Sequence, residues 1–268
     1  MLTYETLISQ AKIREMPANK LRGILREYIQ ILILKEISRS KSGKKIYFLG
    51  GTYLRLIHNL RRFSEDLDFN VFGMNKGEFE KLIRFVKTEL QRFGINSEST
   101  FKYRNNLLTA NMIFPDIEER YNVKSNYKHK GFIIKIETNS PSYKIETETE
   151  VLSGFGEVFP ILCMKKECIF AEKIDALIKK NRGRHIYDVI FMLSAGFPVS
   201  KKVLLNNNIT EPPDKVILDR INSFSSQELK KLAKNLQPFL FDEKDSELVA
   251  DAPLVISSLL GKRKLEVV

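Results

Sequence analysis

Residues 45–69 read KIYFLGGTYLRLIHNLRRFSEDLDF, and this stretch organises the rest of the chain. Residues 45–49 are mostly aromatic, β-branched and apolar, which predicts a buried strand. The strand stops at Gly50-Gly51, where the absence of side chains allows a tight turn and a close approach of a ligand to the backbone. Thr52 is placed to cap a helix that runs to about residue 60. A strand, a glycine turn and a helix N-terminus in this order predict a phosphate-binding site.

Two aspartates follow in the motif Asp66-Leu67-Asp68-Phe69. Because side chains alternate along a strand, the two carboxylates lie on one face, roughly 6.6 Å apart at the backbone. Adjacent carboxylates repel unless a cation lies between them or water surrounds them. Mg²⁺ is commonly held by one or two carboxylates together with substrate phosphates. The glycine turn or the aspartate pair alone would fit an ordinary turn or a solvated loop, but together they predict a site for a nucleoside triphosphate (NTP) and a metal.

The chain resembles the AbiEii/AbiGii-type nucleotidyltransferases in two motifs, Gly50-Gly51-Thr52 and residues 62–69 (RFSEDLDF). That family comprises toxins of abortive-infection and toxin–antitoxin systems, and the MenT toxins are relatives. The resemblance implies a DNA polymerase β-like core in which the glycines hold the triphosphate and Asp66 and Asp68 bind Mg²⁺. It also implies that Ser64 supports the phosphate-binding loop.

Composition is that of an ordinary globular protein with a basic balance. The 268 residues include 44 Lys and Arg against 33 Asp and Glu, a net charge of +11. Basic excess attracts polyanions, of which nucleic acid is the common one, although solubility alone could also explain it. No apolar run is long enough to span a membrane, and the only cysteines, Cys163 and Cys168, fit neither a metal knuckle nor a disulfide framework. We therefore expect a cytoplasmic protein with no membrane segment.

A third carboxylate is expected near the aspartate pair, since polymerase-like transferases need one on a neighbouring strand. The segment Ile134-Lys135-Ile136-Glu137-Thr138-Asn139 resembles the corresponding segment of the family. Glu137 could accept the proton of the attacking hydroxyl or help a metal to activate it. We favour Glu137 over Asp116 and Glu146, although an acid at the end of an apolar strand is often just an exposed edge residue.

The second half of the chain carries another motif of the family. Glu172-Lys173 and Ala176-Leu177 match its first part, and Arg184-His185-Ile186-Tyr187-Asp188 matches its second part, except that His185 stands where Asp is frequent. Lys173 could place a positive charge on the β- and γ-phosphates and stabilise the departing pyrophosphate. Arg184 and Asp188 could form a plain surface ion pair, or Asp188 could orient Lys173 or Arg184.

We expect an α+β fold with a polymerase β-like mixed-sheet core, N-terminal helices and a helical C-terminal lobe. No strand pattern is evident beyond residue 160, so the domains are placed at 1–160 and 161–268. Helices are predicted at 5–15, 18–38, 77–93, 164–180, 184–194, 213–224, 226–236 and 248–260, and strands at 106–114, 132–137 and 143–152.

The expected reaction transfers a nucleotidyl group from an NTP to an acceptor hydroxyl and releases pyrophosphate. Asp66, Asp68 and Glu137 would hold two Mg²⁺ ions about 3.5–4 Å apart, and Gly50, Gly51, Thr52, Lys173 and Arg184 would bind the nucleotide. The resemblance implies an RNA acceptor, the 3′ end of tRNA, and an antitoxin encoded nearby. The alternatives are a small-molecule nucleotidyltransferase, which would need an acidic pocket for a cationic drug, and a non-catalytic nucleotide or RNA binder.

Overall fold

The chain divides into two compact units in a computed structural model that describes residues 1–123, 131–144, 146–262 and 264–268. The first unit comprises residues 1–59 and 63–164, and the second comprises residues 60–62 and 165–268. None of the helices in these described ranges has both the length and the apolar character that crossing a bilayer requires.

The first unit combines a sheet with five helices among its described residues. The helices are α1 (Tyr4–Ile13), α2 (Leu21–Arg39), α3 (Gly50–His58), α4 (Lys76–Arg92) and α5 (Ile117–Arg120). The strands are β1 (Ile46–Leu49), β2 (Leu67–Val71), β3 (Glu98–Arg104), β4 (Leu107–Phe114), β5 (Phe132–Asn139), β6 (Thr147–Gly154) and β7 (Glu157–Met164). They form one sheet in the order β3-β4-β5-β2-β1-β7-β6.

The sheet is mixed, which confirms the predicted fold class. Strand β2 runs antiparallel to β1 and parallel to β5, and β1 runs parallel to β7. Side chains alternate across β5, so that Phe132, Ile134 and Ile136 are buried while the residues between them are more exposed. Helix α2 packs against α4 and β7 and carries a long buried stretch. The aspartate motif therefore lies on a central strand that is held on both edges.

Two strands were missed by sequence analysis. Strand β7 crosses residue 160, so the expectation of no strand beyond that point is wrong. Pro160 is tolerated because β7 meets β1 only at the pair Phe48 and Cys163, and around Pro160 the strand is paired with β6 alone. Strand β3 was not identified either, since it lies at the sheet edge and half of its side chains are exposed polar groups.

The second unit is helical, which confirms the predicted helical C-terminal part of the fold. Its helices are α6 (Lys166–Lys179), α7 (Gly183–Ser194), α8 (Lys201–Asn206), α9 (Pro213–Asn222), α10 (Ser226–Leu236), α11 (Glu247–Ala250) and α12 (Ala252–Lys262). Helix α7 packs against α6, α10, α11 and α12, so it forms the centre of this unit. Residues 60–62 also belong here, and Arg62 forms an isolated bridge with Leu240.

Candidate active site

Three carboxylates lie on one face of two neighbouring strands in the first unit. Asp66 immediately precedes β2, Asp68 is its second residue, and Asp68 pairs in register with Glu137 on the parallel strand β5. Paired residues on adjacent strands point to the same side, as do residues two apart on one strand. Asp66, Asp68 and Glu137 are all half-buried. The sheet thus brings together the three acids that the sequence singled out.

The other candidates for the third carboxylate lie elsewhere in the sheet. Strand β4 is antiparallel to β5, with Thr109 opposite Glu137 and Phe114 opposite Phe132. Asp116 follows Phe114 and therefore lies beyond the opposite end of β5 from Glu137. Glu146 directly precedes β6, an edge strand separated from β2 by β7 and β1. The geometry therefore favours Glu137 as the neighbour of the aspartate pair.

A lysine that sequence analysis did not select lies among these acids. Lys135 Nζ is 3.3 Å from Asp66 Oδ2 and 3.2 Å from Glu137 Oε2. Burial alone would lower the pKa of Lys135, but the negative charges of Asp66, Glu137 and Asp68 raise it. The spacing of Lys135 and Glu137, two residues apart on one strand, was the signal that could have identified it. Within the described ranges, no three His, Cys, Asp or Glu side chains converge on one point where a metal could bind as they stand.

The glycine turn lies directly against Asp68. Gly50 has φ +88, a conformation that side chains disfavour, and a Cβ atom there would collide with Asp68 Oδ2. Helix α3 begins at Gly50, with Leu49 at the N-cap position and without a side-chain cap. The first turn of a helix leaves N–H groups without intrahelical partners, and its dipole favours an anion. Gly50 and the buried Gly51 therefore form an anion cradle against the carboxylates.

Thr52 does not cap α3, contrary to the sequence-based expectation, because the helix starts two residues earlier. The side chain is buried within the first turn, and Oγ1 donates a hydrogen bond of 2.5 Å to the backbone carbonyl oxygen of Asp66. This bond connects the glycine turn to the start of β2. Thr52 thus fixes the position of the aspartate motif relative to the anion cradle.

The segment before the aspartates is anchored on α2. The carbonyl oxygen of Ser64 accepts a hydrogen bond from the buried Gln30 Nε2 at 3.1 Å, and Glu65 forms an ion pair with Arg26 at 2.9 Å. Ser64 itself is half-buried. The approach to β2 is therefore held by a backbone contact at Ser64 and an ionic contact at the next residue, Glu65.

Two of the remaining predicted residues, Lys173 and Asp188, meet in the second unit at a buried carboxylate. Asp188 is fully buried, and Lys173 Nζ donates to its Oδ2 at 2.7 Å. Arg62 binds the same carboxylate through two bonds, Nε to Oδ1 at 2.7 Å and Nη2 to Oδ2 at 2.8 Å. Burial would raise the pKa of Asp188, but the charges of Arg62 and Lys173 hold it well below its usual range. Arg62, part of the quoted motif but not selected as a site residue, is thus a second partner.

The structure distinguishes the two interpretations of Asp188. A surface ion pair with Arg184 is not what this carboxylate forms, since it is inaccessible and holds Lys173 and Arg62. Arg184 is half-buried on α7. His185 is 7% exposed, and neither ring nitrogen has a hydrogen-bond partner among the residues that the structure describes. Burial together with Lys173 lowers the pKa of His185 to about 3. A neutral imidazole therefore occupies the position where the family often carries an acid.

Comparison with known proteins shows which family the chain is similar to. A family model described as nucleotidyl transferase AbiEii toxin, type IV TA (toxin–antitoxin) system, matches residues 32–249. A comparison with curated proteins found no match. Among solved structures, JHP933 from Helicobacter pylori is similar at 17% identity and a TM-score of 0.57, covering 92% of this chain and 94% of that one.

A second solved structure is MenT4, a nucleotidyltransferase toxin from Mycobacterium tuberculosis. It is similar at 16% identity and a TM-score of 0.55, covering 98% of this chain and 100% of that one. At such identities the two structures establish likeness of fold, whereas the family match spans well over half of the chain and includes the motifs of both units. The chain belongs to the AbiEii family of nucleotidyltransferase toxins of type IV toxin–antitoxin systems.

Proposed function

We propose that this nucleotidyltransferase moves a nucleotidyl group from an NTP to a hydroxyl of an RNA, with the 3′ end of tRNA as the acceptor and Mg²⁺ as the cofactor. The observation that carries the proposal is the position of Asp66, Asp68 and Glu137 on one face of β2 and β5, against the turn at Gly50. Their donor atoms are carboxylate oxygens, the type that Mg²⁺ prefers. The residues present therefore fit the metal in their chemistry, and would hold two ions in the proposed enzyme.

In the proposed reaction the acceptor hydroxyl oxygen attacks the α-phosphorus of the NTP. A new P–O bond forms while the bond to the bridging oxygen of the β-phosphate breaks, and pyrophosphate leaves. Glu137 takes the hydroxyl proton, and backbone N–H groups of residues 50–52 bind phosphate oxygens. Bound Mg²⁺ supplies electrostatic stabilisation of the attacking and leaving oxygens. Ser64 supports the loop that carries these groups.

Lys173 is the proposed counter-charge for the β- and γ-phosphates, and Arg184 is a further nucleotide-binding group. An ammonium group stabilises charge on a departing pyrophosphate. Asp188 acts on Lys173 as a positioning residue, because its carboxylate binds Lys173 Nζ at 2.7 Å while Arg62 fixes the carboxylate through two bonds. With two cations on one buried anion, this group keeps a net positive charge.

The proposed acceptor agrees with the charge of the chain. A net charge of +11 favours a polyanion such as RNA over a cationic small molecule. These substrates place the proposed reaction in the cytoplasm. Family membership implies a cognate antitoxin, encoded nearby in the proposed arrangement.

The test uses radiolabelled NTPs, each supplied separately with Mg²⁺ and total tRNA. Wild-type protein should label tRNA with at least one NTP, and Asp68→Asn should reduce the rate by about 100-fold or more. The matched control is Asp219→Asn, which makes the same change at a side chain that is 68% exposed on α9 and should keep wild-type activity. Chelation of Mg²⁺ should abolish labelling.

The outcomes separate the competing functions. Label transferred equally by wild type and Asp68→Asn would overturn the assignment of the active site. Label that appears on a small molecule but never on RNA would overturn the RNA acceptor and retain the transferase. If the protein bound nucleotide but transferred no label from any of the four NTPs, the result would favour a nucleotide-binding protein over a transferase.

A further inference from the structure

Lys135 occupies a defined place in the carboxylate face. The parallel register pairs Leu67 with Ile136 and Asp68 with Glu137, so Lys135 is the strand neighbour of residue 66. The four positions form two rows across the strands, with Asp66 beside Lys135 in one row and Asp68 beside Glu137 in the next. The sheet geometry itself thus directs the ammonium group into the cluster of acids.

Lys135 contacts one acid on each side of the strand pair: Asp66, directly across from it, and Glu137, two residues further along its own strand. Its Nζ lies 3.3 Å from Asp66 Oδ2 and 3.2 Å from Glu137 Oε2. Both distances are within ion-pair range, and the lysine side chain is 34% exposed, so the ammonium sits at the surface of the cluster. The same two oxygens belong to residues that would hold a divalent cation. An ammonium and a divalent cation repel each other and would both draw on the oxygens of these two carboxylates, so the presence of one disfavours binding of the other.

We propose that Lys135 is the resident cation of this site: its ammonium neutralises Asp66 and Glu137 in the metal-free protein and leaves them when a divalent cation binds. This rests on the proposed function, because it takes these acids as metal ligands. Lys135 is therefore a competitor of the metal. Its presence lowers the affinity for free divalent cations and keeps the like charges of the cluster from repelling in the empty state.

The test measures binding of Mn²⁺ to the purified full chain, by titration calorimetry and by the loss of free-ion electron spin resonance signal, without nucleotide. Lys135→Met removes the competing charge and should tighten Mn²⁺ binding on the order of tenfold. It should also lower the melting temperature of the metal-free protein and enlarge the rise in melting temperature that saturating Mn²⁺ produces. Lys135→Arg keeps the charge and should keep the affinity within about threefold of wild type.

A matched control removes a lysine from the same face at a greater distance. Lys102 on β3 pairs with Thr109, which pairs with Glu137, so Lys102 lies in the row of Glu137 and Asp68, two strands from β5 and three strands from β2. Two strand spacings are about 10 Å, longer than the Debye length of about 8 Å at 0.15 M salt, so at that ionic strength the charge of Lys102 is largely screened from the site. Lys102→Met should therefore change Mn²⁺ affinity by less than about twofold. A similar gain in Lys102→Met and Lys135→Met would show a general charge effect and overturn the proposal.

The remaining outcomes distinguish this inference from the proposed function. One outcome is that the wild type binds Mn²⁺ and Asp68→Asn does not, while Lys135→Met binds Mn²⁺ no more tightly than the wild type. That result would overturn the role of Lys135 and leave the metal site in place. Binding that Asp68→Asn does not alter in either background would overturn the metal site itself, and with it the inference. Mn²⁺ binding that is detectable only in Lys135→Met and is lost when Asp68→Asn is added would support direct competition.

Discussion

Gly50 and Asp68 share one space: a Cβ atom at residue 50 would overlap the carboxylate oxygen Oδ2 of Asp68. The residues belong to different elements, the N-terminus of α3 and the central strand β2. The proposed phosphate-binding turn and a proposed metal ligand are therefore packed against each other. In the proposed reaction, this packing would let one substrate, a metal-bound triphosphate, touch both.

The first prediction concerns Gly50→Ala, which should displace the Asp68 carboxylate and reduce nucleotidyl transfer on the order of 100-fold. It should also destabilise the fold by about 1–3 kcal/mol, because the φ of +88 is strained for alanine. The measurements are labelled-NTP transfer and urea unfolding. Gly156→Ala is the control, since Gly156 has φ +82 but open space around its Cβ position. Equal loss of activity in both variants would show that backbone strain, not the collision, matters.

The second prediction concerns the bond from Thr52 to the carbonyl of Asp66. Thr52→Val keeps the shape but removes the donor, leaving a part-buried carbonyl without that partner, and should lower the free energy of unfolding by about 1–2 kcal/mol. Activity should fall as well, because the start of β2 is no longer held against α3. Thr52→Ser keeps the hydroxyl and should retain most of both. The prediction fails if valine is tolerated as well as serine in the transfer assay.

The third prediction separates Lys173 from ordinary lysines of α6. Lys173→Met should reduce transfer by about 100- to 1,000-fold, since it removes the proposed charge on the leaving pyrophosphate. The fold should survive, because Arg62 still neutralises the buried Asp188 through two bonds. Lys179→Met is the matched control on the same helix, at a side chain that is 61% exposed and paired with Asp175. Circular dichroism checks folding, and wild-type activity in Lys173→Met would contradict the assignment.

The fourth prediction concerns pH and His185. Burial holds the pKa of His185 at about 3 in the folded protein, below its usual value near 6.5. Between about pH 6.5 and pH 3 the imidazole is protonated in the unfolded chain but neutral in the folded protein. The free energy of unfolding therefore falls as the pH is lowered through this range. At pH 5 this costs about 2 kcal/mol relative to pH 8. His185→Leu should flatten that part of the curve, measured by urea unfolding at each pH.

Asp188 provides an internal comparison for this pH experiment. Its pKa is lowered in the folded state, so its contribution is present above its unfolded pKa, near 4, and is lost only as the pH falls below that value. The two residues thus begin to change the free energy of unfolding at different pH values, His185 below about pH 6.5 and Asp188 only below about pH 4. A His185 ring that titrates near pH 6.5 by NMR, or a His185→Leu curve parallel to wild type between pH 6.5 and 4, would contradict the prediction.

Much of the fold could be predicted from local sequence patterns. The strand before Gly50, the helix after it and the alternation around Asp66 and Asp68 depend on neighbours within a few residues, and the structure confirms these elements. Helix α10 was predicted with the bounds it has, Ser226–Leu236, because a serine cap and an amphipathic pattern define both ends. The start of α3 was missed because glycine is an unfavourable helix residue. Glycine is needed at residue 50 because any larger side chain would collide with Asp68.

The parts that sequence reasoning missed depend on contacts between distant residues. Lys135 meets Asp66 only because β5 pairs in parallel with β2, a register that no local pattern records. Arg62 reaches Asp188 across more than a hundred residues of chain. Strand β7 was missed because no strand pattern was evident beyond residue 160, and the strand can contain Pro160 because its other edge is not paired there.

The assignment of residues 60–62 to the second unit has a consequence for dissecting the protein. A fragment cut after Met164 would carry the Arg62 guanidinium with its carboxylate partner deleted, and a fragment starting at Lys165 would leave Asp188 with Lys173 alone. During synthesis, Arg62 emerges from the ribosome long before α7 does, so its burial waits for nearly the whole polypeptide. Cutting the chain between the two units therefore deprives the buried Asp188 of one of its two cations, a contact that only the continuous chain supplies.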